Sequence, residues 1–100
     1  MVKVLAERPS AILRAKREDV LEIAARFGVT GVSVFGSVAR GEDTLESDVD
    51  LIVSFEPGTM SLGDFVALED ELSSLLGVHV DVISASANRS QFVLTHAIQL

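Results

Sequence analysis

One hundred residues are enough for one domain with one hydrophobic core and too few for two. Apolar residues make up 48% of the chain and cysteine is absent, which excludes disulfides and thiolate metal sites, and no apolar run approaches the roughly 20 residues that span a bilayer. A net charge of −7, with five Phe and no Trp or Tyr, argues against a surface that neutralises a nucleic-acid backbone or stacks its bases.

These bounds lead us to expect a soluble cytoplasmic protein with no secretory signal, no membrane contact and no direct nucleic-acid binding. So high an apolar content in so small a chain also points to an interface, because small domains bury a smaller share of their surface.

In chain order, Ile12, Leu13, Val20, Leu21, Ile23, Ala24 and Phe27 recur at helical spacing. They predict a helix closed at Gly28, where a left-handed residue suits a C-terminus. Arg14, Lys16, Arg17, Glu18 and Asp19 fall on its wetter face and read as a solvated surface. Gly31 to Phe35 alternates small and apolar residues, a short strand that stops at the tight turn of Gly36. Val38 to Arg40 begins a short helix, and Gly41 to Ser47 is a polar loop.

Val49 to Phe55 is a strand ended by Glu56-Pro57-Gly58. Ser61 and Asp64 then approximate a capping box for a helix whose stripe is Leu62, Phe65, Leu68, Leu72, Leu75 and Leu76, closed by Gly77. Val78 to Ile83 predicts a third strand, and Asn88 to Leu94 one or two helical turns.

Chemistry concentrates in three places. Gly36-Ser37 at a strand-to-helix turn lets backbone N–H groups approach a phosphate, with the Ser37 hydroxyl as a further donor. Asp48 and Asp50, two residues apart at a strand start, share one face. Asp50 and Asp81 interrupt strands that otherwise read as buried, and an unpartnered buried carboxylate costs several kcal/mol. Two such acids ask for a shared cation, and Mg²⁺ takes carboxylate oxygens, water and substrate phosphates. Arg40 contacts phosphates or pairs with Asp48 or Glu46.

Taken singly, each piece has an ordinary reading: Gly-Ser is commonly a turn, and a lone acid in a strand is often an edge-strand device. His79 and His96 read as structural or surface histidines and Arg89 as a surface arginine.

As an ordered set, Gly36-Ser37, Ala39-Arg40-Gly41, Ser47-Asp48-Val49-Asp50-Leu51 and Val80-Asp81-Val82 resemble the minimal nucleotidyltransferases of the DNA polymerase β superfamily, in their MNT antitoxin branch. The resemblance runs from about Val20 to Ile83. It implies an α+β, polymerase β-like nucleotidyltransferase fold, a small mixed β-sheet flanked by helices, with residues 1–100 as a single domain.

The resemblance further implies transfer of a nucleoside monophosphate from a triphosphate to a hydroxyl, with release of pyrophosphate. Asp48, Asp50 and Asp81 would be the catalytic residues and ligate two Mg²⁺ ions, while Gly36, Ser37, Arg40 and Ser47 would hold the triphosphate. The nucleotide would be ATP, and the partner and substrate a HEPN ribonuclease toxin, modified with AMP on a tyrosine in a type VII toxin–antitoxin pair. No lid or second domain is evident to grip an acceptor, so a protein partner would supply the missing wall. Two alternatives differ in class: a non-catalytic antitoxin that masks its toxin, and a small-molecule nucleotidyltransferase resembling the aminoglycoside-modifying enzymes.

Overall fold

Alternation along the strands decides which layer each side chain joins. The computed structural model describes residues 7–86 and 97–100. Within them α1 (Pro9–Ala15), α2 (Arg17–Arg26), β1 (Val29–Phe35), α3 (Gly36–Arg40), β2 (Val49–Phe55), α4 (Leu62–Leu76), β3 (Val80–Ser84) and β4 (Ile98–Gln99) follow one another. The strands form one mixed sheet in the order β3-β2-β1-β4, with β2 parallel to β3 and β1 antiparallel to both β2 and β4. This is the expected α+β architecture. The helical turns expected over Asn88 to Leu94, together with Arg89 and His96, lie outside the described residues.

Val32 and Val34 of β1, Val49, Leu51 and Val53 of β2, and Val80 and Val82 of β3 point to one face. There they meet Val20 and Ala24 of α2 and Leu68, Leu72 and Leu76 of α4 in the core. Because side chains alternate, Asp50 and Asp81 point the other way. No helix among the described residues is long and apolar enough to cross a membrane.

Three boundaries differ from those expected. The helix expected from Ile12 to Phe27 is two helices meeting at Lys16 (φ −110°, ψ 19°). Lys16 donates its N–H to the Ile12 carbonyl, ending α1, and its own carbonyl accepts the Val20 N–H, starting α2. The Lys16 ammonium also donates to the Leu75 carbonyl at the C-terminal end of α4 (2.8 Å), where a cation complements the helix dipole. β1 starts earlier than Gly31, at Val29, and reaches Gly31 through a register shift in its pairing with β2. β3 starts at Val80, leaving Val78 and His79 in the approach to it.

The capping box of α4 is complete: the Asp64 N–H donates to Ser61 Oγ (3.1 Å) and the Ser61 N–H to Asp64 Oδ2 (2.8 Å). Leu62 departs from its expected place in the apolar stripe, being 81% exposed. It is the first residue of α4, and the packed face takes hold only at Phe65, whose ring meets Phe55 edge-on at 5.5 Å.

α4 also protects the outer edge of β3. Ser73 Oγ accepts the Val80 N–H (3.0 Å), and Glu69 Oε2 accepts the Val82 N–H (2.9 Å). Residues four apart on a helix share a face, so one helix caps two successive edge donors.

Candidate active site

The end of β1, the start of β2 and the start of β3 lie side by side, and this brings the scattered motifs together. Phe35 is register-paired with Asp50, and Asp50 with Asp81. Asp48 stands just before β2 and His79 just before β3, and the Val49 N–H donates to the His79 carbonyl (2.9 Å). A carboxylate or imidazole oxygen or nitrogen from each of Asp48, His79 and Asp81 lies within 4.8 Å of the other two.

Asp50 stands beside this group, close enough to feel its charges, with Oδ2 against the Gly36 turn. A Cβ on Gly36 would stand 2.9 Å from Asp50 Oδ2, and Gly36 has φ +76°, a conformation side chains rarely adopt. Glycine at this turn is therefore demanded twice, by the backbone and by the neighbouring carboxylate.

Asp50 and Asp81 are half-buried rather than sunk in the core, and Asp48 is exposed. The burial cost inferred from their apolar neighbours is accordingly smaller than expected, because those neighbours face the opposite side of the sheet. Repulsion remains. Burial first, and then the charges of Asp81 and Asp48, push the Asp50 carboxyl above its usual value, while His79 pulls it the other way. His79 Nε2 and Asp81 Oδ1 are 2.9 Å apart, and this contact with its charge raises the His79 pKa. Hard carboxylate oxygens converging with one imidazole fit a divalent cation, which would relieve the repulsion.

The loop leading to Asp48 is anchored from a distance. α1 has no side-chain cap of its own, and its Ser10 N–H donates instead to Asp43 Oδ2 (2.8 Å). The Arg8 guanidinium donates to the carbonyls of Gly41 (3.4 Å) and Asp43 (3.3 Å). Asp43 is 3% exposed, shut off from water under a thin cover, and its Oδ1 has no hydrogen-bond partner among the described residues. Burial pushes its carboxyl up, but hydrogen bonds from Ser10 and from its own N–H, with the Arg8 charge, outweigh this and leave the pKa below the usual carboxylate value.

A family model described as a nucleotidyltransferase domain matches residues 15–99. The chain belongs to that family. The protein adenylyltransferase MntA of Thermococcus cleftensis is 40% identical to it over 95 residues, covering 95% of this chain and 92% of that one. A solved structure, itself assigned by inference as a minimal nucleotidyltransferase, superposes with a TM-score of 0.79 at 47% identity, covering 91% of this chain and 95% of the other. A toxin–antitoxin complex, MntA–HpeT carrying Y104A, contains a chain that matches at TM-score 0.70 and 24% identity over 84% of this chain and 70% of that one, a likeness of fold. The protein is an MNT-type nucleotidyltransferase.

In this nucleotidyltransferase the expected residues are distributed as follows. Asp48, Asp50 and Asp81 converge, and Gly36 abuts Asp50. Ser37 is the second residue of α3 and makes no side-chain hydrogen bond among the described residues. Arg40 pairs with Glu42 (3.2 Å) rather than with Asp48 or Glu46. Ser47 Oγ accepts the Thr44 N–H (2.9 Å) and closes the turn before Asp48.

Sequence reasoning read His79 as a structural or surface histidine and passed over Asp43. His79 was legible in principle, since His-x-Asp at a strand start puts both side chains on the face shared by Asp48 and Asp50. Asp43 carried no signal, because its partner lies in a different helix. A cavity of about 280 Å³ lies elsewhere, beside Leu13, Arg14, Arg17, Val38 and Ile98, and none of the three aspartates lines it. The converging carboxylates, not that cavity, are the candidate site.

Proposed function

We propose that this nucleotidyltransferase is an antitoxin that transfers AMP from ATP to a tyrosine hydroxyl of a cognate HEPN ribonuclease toxin in the cytoplasm. The reading takes the chain as one minimal nucleotidyltransferase domain. The observation that carries it is the co-registered Asp50 and Asp81 joined by Asp48 beside the Gly36 turn. The 40% identity to a protein adenylyltransferase supports the class of transfer.

The tyrosine oxygen attacks the α-phosphorus, the bond from that phosphorus to the bridging oxygen breaks, and pyrophosphate leaves. Gly36 and Ser37 hold the triphosphate through backbone N–H groups and a hydroxyl, with Arg40 and Ser47 at its margin. Asp48 and Asp50 would hold two Mg²⁺ ions, which supply charge neutralisation at the attacking and leaving oxygens. Asp81 would complete the metal site on the acceptor side and favour passage of the tyrosine proton to water. Much of the acceleration is positioning, so a small scaffold suffices.

Intact-mass measurement of the toxin after incubation with this protein, ATP and Mg²⁺ tests the proposal. A gain of one or more AMP units is expected with the wild type and none with Asp50→Ala, while the two proteins still associate. An unmodified toxin in a formed complex rejects it. A masking antitoxin is the second reading, favoured by exposed Leu45, Leu62, Val66 and Ile98. Full rescue of toxin-expressing cells by Asp48→Asn/Asp50→Asn at matched abundance would select masking. Two cavities, of about 280 and 140 Å³, are both lined by residues other than the three acids, which disfavours a small-molecule acceptor.

A further inference from the structure

We propose that His79 is a further protein ligand of the cation at Asp48 and Asp81, and that its imidazole raises the preference of this position for later first-row dications relative to Mg²⁺. The inference rests on the metal-dependent reading above and assigns a role to a residue outside the three-aspartate set.

Asp50 Oδ2 is directed at the Gly36 turn, on the triphosphate side. Asp48, His79 and Asp81 form a group whose donor atoms lie within 4.8 Å of one another. Chain geometry brings His79 to this face: His79 and Asp81 are two apart in an extended segment, so their side chains emerge on the same side.

The spacing suits coordination. Donors about 2.1 Å from an ion and at right angles to each other stand about 3 Å apart, and His79 Nε2 lies 2.9 Å from Asp81 Oδ1. The His79 and Asp81 side chains are 61% and 50% exposed, so a hydrated cation reaches both without opening the fold. Asp48 is exposed as well.

The imidazole decides the selectivity. Mg²⁺ prefers oxygen and gives up its waters reluctantly, whereas affinity for a mixed nitrogen and oxygen set rises from Mn²⁺ through Co²⁺ toward the later dications. A three-carboxylate site shows that bias more weakly. A His-plus-two-Asp group has it.

Co²⁺ is the probe, used with the untagged full chain and no nucleotide. A histidine bound to Co²⁺ shows an exchangeable imidazole N–H proton shifted far outside the normal NMR range. That resonance is expected in the wild type and in His96→Ala, and absent in His79→Ala. Calorimetry should show Co²⁺ affinity falling about tenfold or more in His79→Ala, with Mg²⁺ affinity held; circular dichroism checks that the fold is kept.

Persistence of the resonance in His79→Ala overturns the proposal, as does its loss in His96→Ala. Equal loss of Co²⁺ and Mg²⁺ affinity also overturns it, since His79 would then act only by orienting Asp81. These measurements need no transfer reaction: Co²⁺ ligation by His79 with an unmodified toxin would reject AMP transfer alone, and AMP transfer without the resonance would reject His79 ligation alone.

Discussion

Gly36 and Asp43 show how single residues hold the site in shape. A methyl on Gly36 would meet Asp50 Oδ2 at 2.9 Å while forcing a side chain into φ +76°. We expect Gly36→Ala to destabilise the fold by about 1–3 kcal/mol and to reduce AMP transfer further than the lost folded fraction explains. Urea midpoints and initial transfer rates on the same preparation check this, and a stable, fully active variant would refute the double constraint. Asp43 works at longer range, tying the Asp48 loop to α1. Removing this remote cap in Asp43→Ala should cost about 1–2 kcal/mol at neutral pH. Its folded pKa lies below the ordinary value of 3.8, so its contribution is present above that value and lost as pH falls through the folded pKa. The gap in unfolding free energy between wild type and variant should therefore narrow on acidification below pH 3.8. A pH-independent gap would place the effect in packing instead.

Among the elements, α4 has the most to hold. Its inner face supplies Leu68, Leu72 and Leu76 to the core, and its flank supplies Glu69 and Ser73 to the free edge of β3. Periodicity located this helix and its capping box, but it overcounted the stripe by including Leu62. Leu68→Ala should cost about 2–5 kcal/mol by opening a cavity, whereas Leu62→Ser should stay within about 0.5 kcal/mol. Chemical denaturation of the two variants distinguishes them, and comparable losses would mean that Leu62 is covered. The break at Lys16 was hidden for a different reason. No Gly, Pro or Asn marks it, and Lys16 is held by the C-terminal carbonyl of a helix far along the chain.

At the scale of the whole molecule, the strands, the Gly36 turn and the three aspartates were legible because each is written in local alternation or in a short motif. The antiparallel placement of β1 and the arrival of β4 beside it were not, since pairing depends on which edges remain free after collapse. Asp43 escaped for the same reason, since its partner is the Ser10 N–H of a distant helix, whereas the spacing of His79 to Asp81 was there to be read. The parallel ladder joining β2 to β3 matches Asp50 with Asp81 residue for residue. An insertion or deletion within either strand, upstream of its acid, would turn that acid toward the valines and offer an apolar side chain to the cation. Alignment gaps among relatives should therefore crowd into the turn at Glu56 to Thr59 and leave the two strands at constant length.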